Sequence, residues 1–216
     1  MANATRPDIA YAVNKLSAYT ANPSLQHTCA LKRILHYLAG AKTYAITYSK
    51  YSPTRTLESR NLFHGYANAA YQNAERYKST SAYVFLMGGG AVTWRSKNQT
   101  TIALSSTEAK YVALCKAGHE ACWLRNLLEE LGEPQLNPML IKGNNNRSIA
   151  MAQNPQFHKR SKHIATRWHW VQDKVQDNTL AIESVQDPKQ TANVLTKPLP
   201  RPKHRKHVGE MGLAMA

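Results

Sequence analysis

The sequence predicts an α/β fold built on a mixed β-sheet. Three strand-like segments near 62–67, 82–87 and 91–95 come first, and a long helix that begins at Ser105 follows them. Beyond that helix, strand-like and helix-like segments alternate, which is the order of a mixed sheet with helices packed on it. The 43% apolar and 19% charged fractions are typical of a folded domain rather than a disordered chain.

Two helices are predicted ahead of these strands. Pro7 suits a first helical turn, and Ile9, Val13 and Leu16 recur on one face. Ser24 is placed to cap a second helix that ends at Gly40. The predicted buried side of this second helix is formed by Cys29, Leu31, Ile34, Leu35 and Leu38. A strand near 44–48 and a polar segment at 50–61 complete this region.

The glycine run Gly88-Gly89-Gly90 joins two predicted strands, so it predicts a hairpin turn. A phosphate-binding glycine loop would instead open a helix. A short strand is predicted at Ile102–Leu104, and Ser105 with Glu108 forms a Ser-x-x-Glu capping box at the start of the long helix. That helix is expected to reach Gly132, either unbroken or as a pair divided near Gly118. Further strands are predicted at 138–142 and 179–185, and further helices at 147–153 and 161–175.

Positive charge dominates the composition, with 28 Lys and Arg against 13 Asp and Glu, a net charge of +15 and a pI near 9.9. Such an excess favours attraction to polyanions, although a merely soluble basic protein is the alternative. The three cysteines form neither a disulfide framework nor a zinc spacing, so reduced thiols are expected. No signal peptide or membrane span is evident, so no export signal and no membrane partner are predicted.

Several motifs resemble the RNase H segment of copia-type retroelement polyproteins. Thr5–Val13 resembles the end of the family's reverse transcriptase, upstream of the RNase H motifs. The RNase H motifs are Ser79–Leu86, Gly88–Trp94, Ala103–Tyr111, Ala152–His158, Lys162-His163-Ile164 and Leu195–Pro200. They cover nearly the whole chain and occur in the family's order.

The resemblance implies an RNase H-like five-stranded mixed sheet with flanking helices, preceded by a two-helix N-terminal segment. It divides the chain into a helical reverse transcriptase remnant at 1–50, a linker at 51–61, an RNase H-like domain at 62–190 and a basic tail at 191–216. In that family, four carboxylates hold two Mg²⁺ ions, which activate a water that cleaves the RNA strand of a hybrid.

Carried over one by one, the four carboxylate positions fall at Asn68, Glu108, Asn144 and Ala165. Only Glu108 keeps its charge. Near about 4 Å, each ligand–metal charge pair is worth on the order of 4 kcal/mol at an effective dielectric of about 20. Losing three such pairs predicts that the Mg²⁺ site is lost, that the chain is not an enzyme, and that it needs no cofactor.

Glu108 has two interpretations, a remnant metal ligand or a helix-capping residue. Glu75, Asp173 and Asp177 are nearby acids, but none falls at a family ligand position.

The candidate nucleic-acid contacts are basic residues, which would bind the phosphate backbone whatever the base sequence. They are Lys78, Arg95, Lys97, Lys159, Arg160, Lys162 and His163. Trp168 and Trp170 are possible stacking surfaces, and the alternative is a solvated cationic helix face with one tryptophan in the core. His158, His163 and His169 are spaced too widely for a zinc site. The basic run 201–207 is either a polyanion or nuclear-import patch or a disordered end.

The function predicted first is interaction rather than catalysis, as in the secreted RxLR effectors of oomycete plant pathogens, which act on host proteins in the cytoplasm or nucleus. Arg33 and Leu35 give only an R-x-L-x match, and they lie on an amphipathic helix. The alternatives are a catalytically dead module that binds RNA–DNA hybrid or other nucleic acid, residual nuclease activity, or an unselected retroelement relic. Oligomeric state and location are left open.

Overall fold

The computed structural model describes residues 1–48, 63–154 and 170–215. Its centre is a five-stranded mixed sheet of β2 His64–Ala70, β3 Thr80–Met87, β4 Gly90–Asn98, β5 Met139–Gly143 and β6 Leu180–Ser184. The strand order across the sheet is β4-β3-β2-β5-β6. The β2–β3 and β3–β4 pairs are antiparallel, and the β2–β5 and β5–β6 pairs are parallel. The predicted mixed α/β sheet is therefore confirmed.

One face of the sheet is covered by helices α3 Ser106–Glu130, α4 Asn146–Gln153 and α5 Trp170–Gln176. Ala67 and Phe85 point to this face, where they join the core formed with Tyr111 and Leu114 of α3. The predicted alternative of a break near Gly118 is wrong. A Cβ at Gly118 would meet Leu180 Cδ1 at 3.0 Å, so this glycine permits close packing inside a continuous helix.

The opposite face is covered by the two ends of the chain. Val84 and Trp94 point to this side and pack with Val194, Leu195 and other apolar residues of the C-terminal segment. The first strand β1 Tyr44–Ile46 pairs antiparallel with the last strand β7 Leu213–Met215. The N- and C-terminal segments therefore meet on one side of the sheet.

The interpretation of the basic run 201–207 as a disordered end is wrong. Residues 191–195 form a buried 3-10 helix, and Arg201–Glu210 forms helix α6. Val208, Met211 and Leu213 follow the cations and bury their side chains, which ties the segment to the sheet.

The glycine hairpin is confirmed, because Gly88 and Gly89 turn between β3 and β4 with φ of 59° and 85°. The predicted strand at Ile102–Leu104 is wrong. Ile102 and Leu104 are 50% and 68% exposed, and the Leu104 N–H bonds the Glu108 side chain instead of a neighbouring strand.

The two N-terminal helices are present as α1 Ala10–Ser17 and α2 Leu25–Gly40. The prediction that α2 buries an apolar face is wrong, because within the described residues no side chain of α2 is buried. Its contacts include the hydrogen bond from the Tyr37 hydroxyl to Asp8 Oδ2 at 2.7 Å and the stacking of His27 on Tyr19.

The whole predicted linker 51–61 and the first nine residues of the predicted helix 161–175 lie outside the described residues. The division into four segments stays a prediction.

Candidate functional site

The parallel pairing of β2 and β5 brings Asn68 and Asn144 to the same edge of the sheet. Tyr66 pairs with Lys142, and each asparagine lies two residues further along its strand direction. Beyond this pair, the buried Gln190 amide donates 3.2 Å hydrogen bonds to the carbonyls of Ala67 and Lys142. Gln190 thereby places the 3-10 helix Thr191–Leu195 against the end of both strands.

Asn144 is held between a cation and a carboxylate. The Lys110 ammonium donates to Asn144 Oδ1 at 2.8 Å, and Asn144 Nδ2 donates to Asp187 Oδ1 at 2.8 Å. Lysine can only donate and an ionised aspartate can only accept, so these two partners allow one orientation of the amide. The NH₂ group of Asn144 therefore faces Asp187.

Asn193 continues the same hydrogen-bond chain from the other side. Its Nδ2 donates to the Asp187 carbonyl at 2.9 Å and to Asp187 Oδ1 at 3.3 Å. Its Oδ1 accepts from Asn68 Nδ2 at 2.8 Å. Two series of hydrogen bonds therefore end on Asp187. One starts at Lys110 and passes through Asn144, and the other starts at Asn68 and passes through Asn193.

The orientation of Asn68 follows from this arrangement. Its Nδ2 must face Asn193 Oδ1, so its own Oδ1 points elsewhere. That oxygen is buried and has no hydrogen-bond partner in the described structure. Asn68 is 3% exposed, so an acceptor is left unsatisfied in a dry environment.

Three members of this cluster were missed by the sequence analysis, namely Lys110, Asp187 and Asn193. Lys110 falls at the unspecified position of the Ala103–Tyr111 motif, and Asp187 precedes a proline and reads as a turn residue. Asn193 lies only two residues before the Leu195–Pro200 motif, and that proximity was the available signal. Ala165 lies outside the described residues, and Asn193 is the residue that the structure places beside Asn68.

Glu108 caps the start of α3. Ser105 Oγ accepts from the Glu108 N–H at 3.1 Å, and Glu108 Oε2 accepts from the Leu104 N–H at 2.7 Å. The glutamate thus reaches one residue further back than in the usual capping box, where it bonds the N-cap residue itself. These two contacts fit the capping interpretation, and the interpretation as a remnant metal ligand stays a prediction.

The electrostatics of the cluster are those of one carboxylate between two ammonium groups. Burial lowers the pKa of Lys110, and Asp187 opposes that shift. Burial also works against ionised Asp187, but hydrogen bonds from Asn193 and Asn144 and the nearby lysines lower its pKa overall. Lys197 Nζ lies 3.8 Å from Asp187 Oδ1.

These residues do not fit a pair of magnesium ions. Mg²⁺ requires hard oxygen ligands, preferably anionic, in near-octahedral geometry. Here the amides of Asn144 and Asn193 direct NH₂ groups at the one carboxylate, and Lys110 directs an ammonium into the cluster. Among residues 1–48, 63–154 and 170–215, no group of three or more His, Cys, Asp or Glu is arranged to hold a metal ion.

A polar pocket of 520 Å³ adjoins the cluster. It is lined by the first turns of α3 and α4 and by the loop after β6, with Asn144 and Asp187 at its border. The starts of α3 and α4 both border this pocket, and the first N–H groups of a helix have no partner within the helix. Ser105 Oγ accepts the N–H of Glu108 and Asn145 Oδ1 accepts that of Ser148.

The predicted nucleic-acid residues are only partly described. Arg95 and Lys97 are exposed on β4, which is an edge strand, and their two-residue spacing puts both side chains on the same face. Lys78 is partly exposed just before β3. Lys159, Arg160, Lys162 and His163 lie outside the described residues. Arg33 and Leu35, the R-x-L-x pair, are exposed on α2.

Comparison with known proteins shows the family. The chain is 37% identical over 210 residues to the retrovirus-related Pol polyprotein from transposon RE1 of Arabidopsis thaliana, which covers 97% of this chain. It is also 43% identical over 121 residues to the secreted RxLR effector protein 161 of Plasmopara viticola, covering 56% of this chain and 80% of that protein. The chain belongs to the copia-type RNase H family.

This copia-type RNase H chain spans 14% of the length of the RE1 polyprotein. No protein-family model matches it. Among solved structures, LC11-RNase H1 from compost is similar at 14% identity and a TM-score of 0.43, covering 63% of this chain and 93% of that one. Within the described residues, no helix is long and apolar enough to cross a membrane.

Proposed function

We propose that this copia-type RNase H-like chain is a non-catalytic module that acts by binding. The observation that supports this most directly is the hydrogen-bond chain from Lys110 through Asn144 to Asp187. It fills the region of two family ligand positions with donors and an ammonium. A metal ion entering there would meet positive charge where the family places carboxylates.

Nucleic acid is the binding partner that the charge distribution supports. The net charge is +15, and Arg95 and Lys97 project side by side from an edge strand. The pocket beside Asn144 adds helix N-terminal donors and Arg147, which suit phosphate oxygens. Binding of this kind depends on backbone charge and not on base sequence.

A cleavage assay tests the loss of catalysis. The protein is incubated with a labelled RNA–DNA hybrid and Mg²⁺ or Mn²⁺, and binding is measured on the same hybrid. We expect binding without cleavage, with an affinity that falls steeply as salt rises.

Arg95→Ala with Lys97→Ala should lower both the affinity and the salt slope, while Lys42→Ala, an exposed lysine before β1, is the matched control. Metal-dependent cleavage that Glu108→Gln abolishes would overturn the proposal, and an affinity independent of salt would remove nucleic acid as the partner.

Effector activity is the second candidate, and the similarity to the Plasmopara viticola protein favours it. That protein is named a secreted RxLR effector, and this chain matches 80% of it. In this case the chain acts in host plant cells on a host protein and suppresses defence or cell death. Expression in leaf cells together with a death-inducing elicitor should reduce necrosis. The corresponding segment of the RE1 polyprotein is the control, and necrosis equal to that control counts against the effector role.

A further inference from the structure

Helix α6, Arg201–Glu210, is fixed to the rest of the molecule by one side. Val208 is buried on that side within the apolar core of the C-terminal segment, and the His207 side chain is buried beside it. A ring nitrogen of His204 lies 3.2 Å from the Asp8 carbonyl oxygen, which ties the helix to the N-terminal segment as well. Because the inner side of α6 is anchored in this way, its outer side has a defined position on the surface.

The outer side of α6 carries cations that have no acidic partner. Arg201, Lys203 and Arg205 are exposed, and among the described residues none of the three makes a hydrogen bond or an ion pair. Arg201 and Arg205 are four residues apart, so they lie on the same side of the helix with their Cβ atoms about 5–6 Å apart. These guanidinium and ammonium groups are therefore open to an anion from solvent.

The acidic side chains around α6 are already engaged. Glu210, the one acid within the helix, lies 2.8 Å from His207 Nδ1 and accepts from the Thr191 hydroxyl at 3.0 Å. The elements packed most closely on α6 are β7 and the 3-10 helices Thr191–Leu195 and Pro7–Ile9, and Asp8 is the one acid among them. The Asp8 side chain is 0% exposed and is bonded to Arg6. Neither acid forms an ion pair with the three exposed cations.

Helix α6 is also joined to the border of the polar pocket. The Lys206 ammonium donates to the Pro188 carbonyl at 2.7 Å and lies 3.8 Å from Glu210 Oε1. Pro188 directly follows Asp187, which lines the pocket. Lys197 Nζ, 3.8 Å from Asp187 Oδ1, adds a further cation there. Cations therefore stand along the path from the pocket to α6.

We propose that the outer side of α6 binds the phosphate backbone of nucleic acid and extends the surface that begins at the polar pocket. The inference rests on the proposed nucleic-acid binding and adds its location. Apart from the cations, the outer side presents Pro202 and Gly209, so it has no apolar stripe that would enter a membrane or a protein groove. Ten helical residues span about 15 Å, and duplex DNA carries one negative charge about every 1.7 Å along its axis. All three cations can therefore meet phosphates at once.

Two charge-matched triple variants test this location. The first combines Arg201→Ala, Lys203→Ala and Arg205→Ala, and the second combines Lys32→Ala, Arg33→Ala and Lys42→Ala, all at exposed positions. Each removes three positive charges from the net charge of +15. Binding of a labelled RNA–DNA hybrid is measured over a range of salt concentrations. The α6 variant should bind about tenfold or more weakly and lower the slope of log affinity against log salt by about 2 to 3, since each phosphate contact contributes about 0.9. The N-terminal variant should change both much less.

The melting temperature separates a lost contact from a lost fold. Because the α6 cations have no partner in the described structure and alanine favours a helix, the α6 variant should melt as the parent protein does. The single variant Arg205→Ala perturbs the helix less and should lower the salt slope by about 0.9, whereas Lys42→Ala should leave it unchanged. An identical slope in these two single variants would count against the proposal.

Equal losses in the two triple variants would overturn the assignment to α6, since net charge alone would then explain them, while nucleic-acid binding itself would stand. An unmodified protein that does not bind the hybrid would overturn both. Anionic phosphatidylserine vesicles are the competing probe. Vesicle binding as tight as hybrid binding, and weakened by the α6 substitutions, would identify a membrane surface in place of nucleic acid.

Discussion

Lys110 and Asn144, 34 residues apart in sequence, are joined by a 2.8 Å hydrogen bond from the ammonium to the amide oxygen. Because that bond fixes the amide, the NH₂ group of Asn144 is turned toward Asp187. At this edge of the sheet, hydrogen-bond donors therefore stand where a cation site would present acceptor oxygens.

Asn144→Asp should destabilise the protein at neutral pH by about 1–3 kcal/mol. The new carboxylate would lie against Asp187 Oδ1, which the amide now contacts at 2.8 Å, and two carboxylates in contact cannot both ionise freely. The Lys110 ammonium, 2.8 Å from the other oxygen, offsets only part of this repulsion. One pKa of the pair rises, so the loss should be small below pH 4 and should grow as pH rises through the raised pKa. Urea denaturation at several pH values measures this.

Asn145→Asp is the control for that prediction. Asn145 caps α4 by accepting from the Ser148 N–H at 2.8 Å, and aspartate serves equally well as an N-cap. The neighbouring substitution adds the same charge and should leave stability unchanged or slightly higher. Equal destabilisation of both variants would refute the contact argument.

Mg²⁺ should leave the melting temperature of the unmodified protein unchanged, since the cluster already contains the ammonium of Lys110. The fourfold variant Asn68→Asp, Asn144→Asp, Asn193→Asp and Lys110→Glu restores acceptors at the cluster. Its stability should rise with Mg²⁺, by about 2.7 kcal/mol at a concentration one hundred times the dissociation constant. Scanning calorimetry with and without metal makes the comparison, and Ca²⁺-free EDTA buffer is the reference. A clear Mg²⁺ shift in the unmodified protein contradicts the assignment.

Acid should weaken the link between Asp187 and its partners. Despite partial burial, the hydrogen bonds from Asn193 and Asn144 and the nearby lysines lower the pKa of this carboxylate. A lowered pKa contributes stability above the unfolded value, near 3.8, and that stability is lost as pH falls through the folded value. Asp187→Asn should therefore flatten the pH dependence of stability below about pH 4. An identical slope in both proteins argues against this role.

Asp8→Asn should destabilise the protein by about 3–5 kcal/mol, because it leaves Arg6 buried without a counter-charge. The Asp8 side chain is 0% exposed and accepts from both Arg6 and the Tyr37 hydroxyl, and burial together with Asp8 raises the pKa of Tyr37. Thermal unfolding measures the loss. Lys174→Ala breaks a solvent-exposed ion pair with Asp177 and should change little. If Asp8→Asn and Lys174→Ala lowered the melting temperature equally, burial would not determine how much an ion pair contributes to stability.

Cysteine labelling should follow burial. Cys29 is exposed, Cys122 is half-buried and Cys115 is buried, and burial raises the pKa of the Cys115 and Cys122 thiols. Iodoacetamide at pH near 8 should modify Cys29 first, Cys122 slowly and Cys115 only after unfolding. Mass spectrometry of timed samples reads this order, and early modification of Cys115 would mean that α3 opens in the native state.

The sequence by itself determined the mixed sheet, the glycine hairpin and the capped start of α3. These features depend on local patterns, such as alternation along a strand or a serine three residues before a glutamate, and a local pattern can be read without knowing its neighbours. It also pointed to Asn68, Glu108 and Asn144, because each falls at a carboxylate position of the family that the sequence resembles.

Only the tertiary structure decided which polar groups meet and which apolar face is covered. Asp187 and Asn193 reach Asn68 and Asn144 across 43 or more residues of sequence, and their hydrogen bonds fix which amide atom faces the site. The stripe of α2 looks like a core face in sequence, yet within the described chain its residues are not buried. Periodicity reports that a helix has an apolar side, whereas its covering depends on where the rest of the chain passes.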